Sequence, residues 1–300
     1  MTADTPLSIA HRRLWSGLAT EDPDAQVGIL GIPFDSATTY RKGAAFGPAR
    51  IRELSPRHAP CAQEGDRLGV RVRDYGDVET DLDWERYFQT VQTRAARVLQ
   101  HPLALFLGGD HSVSIPLMKA FHQVVEGPIG VIDVDAHPDL YDVYEGHRWG
   151  HACVARRALE LPGLEPAHLS LVGLRTMSRN ERDLLLSNPT IPVFTARRCY
   201  QEGIESVARQ VVERLAGVQA VYLTLDIDGL DPAYAPGTGY PEPGGLSTRE
   251  LMEFVRIVVA ELPVRAVDVV EVSPPLDTND ITSLAALKII YEIWYTWQNR

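Results

Sequence analysis

Three hundred residues, 45% of them hydrophobic and 23% charged, suffice for one large α/β domain with a substantial core. A net charge of −11 argues against nucleic acid as a partner and suits a small cationic one. No apolar run approaches the roughly 20 residues of a membrane helix, residues 1–6 lack a signal-peptide core, and Cys61, Cys153 and Cys199 are too sparse for a disulfide framework, so a cytoplasmic, thiol-reduced protein is expected.

In chain order, short apolar runs with strand character fall at 26–32, 71–74, 103–107, 129–134, 169–173, 191–194, 218–225 and 265–270. Between and after them the apolar periodicity predicts helices near 47–54, 84–100, 112–125, 152–160, 179–187, 201–216, 247–261 and 281–297. Strands alternating with helices predict a mostly parallel, roughly eight-stranded sheet covered on both faces. No repeat, low-complexity tract or Gly/Ser linker divides the chain, so residues 1–300 read as one domain, with 1–20 as a peripheral N-terminal segment.

Three of the strand ends carry an unusual density of ligand-type side chains. The strand ending near 134 runs into Asp133-Val-Asp135-Ala-His137-Pro-Asp139. Alternation sends these carboxylates and the imidazole to a common side while the segment stays extended. Like charges this close repel unless a cation holds them. Asp226-Ile-Asp228-Gly-Leu-Asp231-Pro232 repeats the pattern after the run 221–225. Gly108-Gly109-Asp110-His111-Ser112 follows the run 103–107; its glycines allow a close backbone approach, and Ser112 reads as the cap of the next helix. Ligands bind at the carboxyl edge of open α/β sheets. His111, Asp135, His137, Asp139, Asp226 and Asp228 exceed what one small transition ion takes from protein, so two bridged cations fit better. Four carboxylates against two divalent ions also balance in charge.

These motifs, with Val270-Glu271-Val272-Ser273-Pro274-Pro275 near the C-terminus, resemble those of the ureohydrolases, the binuclear manganese hydrolases that include arginase and agmatinase. The similarity runs from Gly31-Ile-Pro-Phe-Asp35 and the stretch 41–48 to the last helix. It implies a three-layer α-β-α sandwich, two Mn²⁺ ions per subunit (other divalent transition ions being possible), and hydrolysis of a guanidino compound to urea and an amine. Two such ions make a bound water acidic enough to attack a resonance-stabilised guanidinium at neutral pH. By the same resemblance His151 shuttles a proton to the leaving amine, Glu271 receives the substrate guanidinium through paired hydrogen bonds, and Asp139 both binds metal and orients the attacking water.

The substrate is read from the loops. Arginases place Asn and Ser after the Asp-Ala-His-x-Asp motif and Asp-x-Asp after a Gly-Leu-Arg segment; here the stretch 140–150 holds no Asn, Ser or Thr, and Gly173-Leu-Arg175 leads into Thr176-Met-Ser178. Asp142 and Glu145, with Tyr144, are expected to receive a distal ammonium, which points to agmatine, yielding putrescine in polyamine biosynthesis. Arg148 speaks instead for a carboxylate-bearing substrate, as in a guanidinobutyrase or a formimino hydrolase, and arginase is the remaining alternative within the family. Tyr240 stands where a smaller residue is frequent. A catalytically dead, metal-loaded binding protein is disfavoured by the intact ligand set together with His151 and Glu271. The partner expected is a small cationic guanidino substrate, with no nucleic acid and no membrane. The apolar last helix (Leu284, Leu287, Ile290, Tyr291, Trp294) and the family's habit suggest a homo-oligomer, hexamer or trimer.

Overall fold

The computed structural model describes residues 11–61, 65 and 67–300, without the side chains of residues 11–13. Eight short segments, largely apolar except the edge strand β2, become strands: β1 (Val27–Gly31), β2 (Val72–Asp77), β3 (Leu103–Leu107), β4 (Ile129–Val134), β5 (Leu169–Leu174), β6 (Val193–Thr195), β7 (Ala220–Asp226) and β8 (Val264–Val270). They form one sheet in the order β2-β1-β3-β8-β7-β4-β5-β6, and every neighbouring pair is parallel.

Side-chain alternation divides the core between the two faces of the sheet. Leu103, Leu105 and Leu107 of β3 pack with Val134 of β4 and Leu223 of β7 against α1 (Gly47–Leu54), α7 (Ile204–Arg214), α8 (Thr248–Glu261) and α9 (Ile281–Gln298). Ala104 and Phe106, with Val131 and Tyr222, face the opposite layer of α2 (Trp84–Val98), α3 (Ser114–Val124) and α4 (Val154–Ala158). Each fully buried Leu or Phe contributes about 1.5–3 kcal/mol. The expected three-layer α/β sandwich is therefore the fold found. A parallel sheet needs both faces covered, which is why its strands read as unbroken apolar runs.

Two expectations change. The helix predicted over 201–216 is two, α6 (Ala196–Glu202) and α7, because Gly203 turns the chain at φ +81° between them. The remaining helix, α5 (Arg179–Ser187), opens on a capping box in which Ser178 and Glu181 satisfy each other's backbone N–H groups. Within the segment expected to be peripheral, residues 1–10 lie outside the described residues, whereas Trp15 is fully buried with its ring 5.3 Å from that of Trp294. The apolar surface of α9 is thus consumed inside the chain: Leu287, Ile290, Tyr291 and Trp294 are all buried among Trp15, α1 and α8. That removes the argument for an oligomer built on this helix. No helix among the described residues is long and apolar enough to cross a membrane.

The strand order explains how distant motifs meet. The chain runs β1, β2, β3, then leaves a gap and builds β4, β5 and β6 before β8 and β7 fill the middle. The four adjacent strands β3-β8-β7-β4 therefore present their carboxyl ends side by side, and those ends carry His111, Glu271, Asp226 with Asp228, and Asp135 to Asp139.

Candidate metal centre and active site

His111 follows β3 through Gly108-Gly109. A side chain at Gly109 would place a Cβ 1.7 Å from the carbonyl oxygen of Phe34, so only glycine lets the β1 and β3 loops close on each other. Asp110, not Ser112, caps the turn that follows: its Oδ1 accepts the Ser112 N–H at 3.1 Å and its Oδ2 accepts the Ala37 N–H at 2.9 Å. Asp110 immediately precedes the turn in an extended conformation, which places its carboxylate over the Ser112 N–H, and burial raises its pKa to about 6 against those donors.

His111 Nδ1 then lies 3.1 Å from Asp135 Oδ2, 3.1 Å from Asp139 Oδ2 and 3.3 Å from Asp226 Oδ2. A second imidazole, His137, puts its Nδ1 3.3 Å from Asp135 Oδ1 and 3.2 Å from Asp228 Oδ2. Asp135 thus turns one oxygen to each group. All six predicted ligands fall into these two adjoining clusters.

The electrostatics are those of a site built for cations. Burial, followed by the charge of Asp228, lifts Asp226 well above the usual carboxylate range. Burial and then Asp135 raise Asp139 to about 7. Burial opposes charge on His111, yet the close carboxylates of Asp135, Asp139 and Asp226 carry its pKa well above that of a free imidazole. Glu271 is raised by burial and then by the neighbouring charge of Asp110. His111 Nδ1 and Asp135 Oδ2 are buried and make no hydrogen bond, although they face each other at 3.1 Å. Imidazole nitrogens and carboxylate oxygens converging this closely match the ligand sets of Mn²⁺, Fe²⁺, Co²⁺ or Zn²⁺. The residues fit a pair of divalent cations.

A second layer fixes the first. His111 Nε2 lies 2.9 Å from Thr224 Oγ1, and Thr224 donates in turn to Asp268 Oδ1 at 2.6 Å. Tyr222 and Ser114 donate to Asp268 Oδ2 at 2.6 and 2.7 Å. Since Thr224 spends its proton on Asp268, its oxygen accepts from His111 Nε2–H, which leaves the Nδ1 lone pair toward the carboxylates. Sequence reasoning missed this relay. Its signal was present: a threonine and an aspartate inside otherwise apolar strand runs. Asp133, the direct register partner of Thr224 on the neighbouring strand, is also buried, and both of its carboxylate oxygens lack a hydrogen-bond partner.

Two backbone outliers sit in the site. Asp139 and Glu271 adopt φ +48° and +60°, the left-handed region that costs a non-glycine residue on the order of 1 kcal/mol or more. Glu271 is held there by its N–H donating to the Gly109 carbonyl at 2.8 Å, and its Oε1 accepts the His111 N–H at 2.9 Å. His151 is anchored differently. Its Nδ1 is 2.7 Å from the Ala37 carbonyl, which can only accept, so Nδ1 carries the proton and Nε2 is an acceptor. Burial lowers its pKa below that of a free histidine.

One cavity of about 220 Å³ joins these groups: it is lined by all six predicted ligand residues, His151, Glu271 and Tyr144, and also by Tyr141, Thr176, Met177, Ser178, Glu181, Tyr240 and Glu242. Asp142 and Glu145, expected to receive the substrate's far end, are absent from that lining. Asp142 is drawn away by Arg157, 2.6 Å distant, and Arg148, 3.3 Å distant. Glu145 occupies the tip of a tight turn at φ +48°, between Tyr144 and His147, whose backbones pair at 2.9 Å. Arg148 is itself paired with Glu160 at 2.9 Å and does not reach the cavity. The outer wall comes instead from Thr176 to Glu181 and from the loop 235–245. Arg175 ties that loop down by donating to the carbonyls of Glu242 at 2.9 Å and Leu230 at 3.1 Å.

Residues 25–295 match the model of the Arginase family. Guanidinobutyrase of Pseudomonas aeruginosa is 36% identical over 270 residues, 88% of this chain and 84% of that protein. Agmatinase of Edwardsiella ictaluri is 35% identical over 284 residues, 91% and 88% of the two chains. Among solved structures, proclavaminate amidinohydrolase from Streptomyces clavuligerus superimposes with a TM-score of 0.84 at 33% identity, covering 92% of this chain and 94% of that one. With the family match spanning residues 25–295 and relatives 36% and 35% identical over most of its length, the chain belongs to the arginase family.

Proposed function

We propose that this protein is a binuclear-metal hydrolase that splits a guanidino compound into urea and an amine, and that agmatine is the substrate, with putrescine as its amine product. The observation that carries the reading is the pair of His/Asp clusters sharing Asp135, open to the cavity that also holds Glu271 and His151. His111, Asp135, Asp139 and Asp226 would hold one cation, and His137, Asp135 and Asp228 the other, with Mn²⁺ the metal proposed. When bound, the cations supply Lewis acidity and lower the pKa of water toward neutrality.

The chain's own groups do the rest. Glu271 accepts the N–H pair of the guanidinium, presenting the guanidino carbon to the clusters, and its burial strengthens that ion pair. Asp139 orients the attacking water through a hydrogen bond. His151, neutral at pH 7 because burial lowers its pKa, takes up the proton that water releases at Nε2 and returns it to the leaving nitrogen. Collapse of the tetrahedral carbon then frees urea and the amine.

Agmatine is favoured by charge. Among the described residues no Lys or Arg lines the cavity, while the partly exposed Glu242 does; Glu181 also lines it, but its buried carboxylate is held by the Leu140 and Ser178 N–H groups. A terminal ammonium finds the Glu242 carboxylate there; a substrate carboxylate finds no counter-ion. Urea release from agmatine, arginine, 4-guanidinobutyrate, 3-guanidinopropionate and guanidine, measured on Mn²⁺-loaded protein, is the test. Agmatine is expected to give the highest kcat/KM, and faster turnover of any carboxylate-bearing compound refutes the choice.

A further inference from the structure

Tyr240 is the one bulky side chain that the loop 235–245 sends into the cavity. Its ring lies nearly parallel to His151, centroids 5.8 Å apart at 27°, and meets His137 edge-on at 6.1 Å. The phenol hydroxyl is pinned by Thr39 Oγ1 at 2.8 Å, and Tyr40 packs behind the ring at 5.3 Å. From the other side of His151, Tyr144 stands perpendicular at 5.5 Å, supported by Tyr141 at 5.0 Å. The neighbouring Gly239 leaves room beside Glu271: a Cβ there would sit 3.6 Å from Glu271 Oε2 and 2.8 Å from the Arg41 carbonyl. The guanidinium slot is therefore kept open by a glycine, while the next residue walls its exit with an aromatic ring.

We propose that Tyr240 is the specificity-determining residue of this pocket: with Tyr144 it frames an exit that passes an unbranched alkyl chain ending in an amine and turns away a chain whose end is branched by a carboxylate. This deepens the hydrolase reading given above and rests on it. The physical basis is twofold. An aromatic wall strips water from whatever passes it, which an alkyl chain tolerates and an unpaired carboxylate does not. The pinned phenol also fills the volume that a second substituent on the terminal carbon would need, and a ring held by Thr39, Tyr40 and His151 cannot swing aside without losing those contacts.

Agmatine and arginine differ only in the α-carboxylate, so their ratio isolates the effect. Tyr240→Thr should raise KM for agmatine about tenfold, the scale of losing an aromatic wall against one or two methylenes of the alkyl chain, and lower the agmatine-to-arginine preference in kcat/KM by at least about tenfold. Tyr240→Phe keeps the ring and should hold that preference within about threefold. If Tyr240 served only to hold His151, both substrates would lose kcat alike and their ratio would not move, which overturns the proposal. Calorimetric binding of both compounds to the Mn²⁺-loaded proteins separates this from the reaction itself. Wild-type protein that binds agmatine and releases no urea refutes the hydrolase reading, whereas equal binding preference in wild type and Y240T refutes the role of Tyr240.

Discussion

Thr224→Val tests the idea that a relay beneath the site, rather than the ligands alone, sets the metal affinity. Thr224 is fully buried, accepts the His111 Nε2–H at 2.9 Å and donates to Asp268 at 2.6 Å. Valine has the same shape, so no cavity opens and the packing term is small. What is lost is an acceptor for a buried N–H and one of three donors to a buried carboxylate, each about 1–3 kcal/mol when left unsatisfied. The sum, about 2–4 kcal/mol after a gain from the extra methyl, dominates the packing change. At about 2.1 cal/mol/K of unfolding entropy per residue, that loss lowers Tm of a chain this long by about 3–6 °C. Release of the His111 tautomer should also weaken metal binding by about 10- to 100-fold. Thr224→Ser keeps the hydroxyl and should recover most of both effects. The assay is differential scanning calorimetry of the metal-stripped protein alongside Mn²⁺ titration of each variant. Wild-type Mn²⁺ affinity in Thr224→Val would refute the relay, whatever the change in Tm.

Other consequences are as direct. Because Asp135 faces both clusters, Asp135→Asn should lose both ions, while Asp228→Asn should retain one; metal per subunit by elemental analysis distinguishes them, and equal loss in the two variants refutes the shared role of Asp135. His151→Asn should keep its metal and lose about 10²- to 10⁴-fold in kcat, the usual contribution of a positioned acid–base group. The reaction needs neutral His151, and a pKa lowered by burial keeps the imidazole neutral down to a pH below that of a free histidine, so the acid limb of kcat/KM should fall below about pH 6.5. A limb centred above that value, with metal content constant, contradicts the assignment. Gly109→Ala should prevent the β1 and β3 loops from closing, since its Cβ would collide with the Phe34 carbonyl at 1.7 Å, and yield protein with little bound metal; a folded, fully loaded variant would show that the loops can part without cost.

The chain by itself determined most of its secondary elements and its candidate ligand residues, because both are local. An apolar run of five or six residues before Gly-Gly, Asp-x-Asp or Asp-Ala-His reads as a buried strand with a polar carboxyl end, whatever lies around it. The tight spacing of Asp135, His137 and Asp139 carries its own repulsion and hence its own demand for a cation. Only the tertiary structure decided what depends on neighbours from elsewhere in the chain. Asp142 and Arg148 looked available in the loop 140–150, but Arg157 of α4 and Glu160 engage them at the surface. The apolar excess of α9 looked like an interface until Trp15, nearly the whole chain away, covered it. The row Asp268–Thr224–Asp133 exists only because β8 and β7 insert beside β4, setting three strands from different parts of the chain in register. Alternation states which face a side chain takes; strand order states whom it meets there, and a buried polar group has no fixed chemistry until that partner is known.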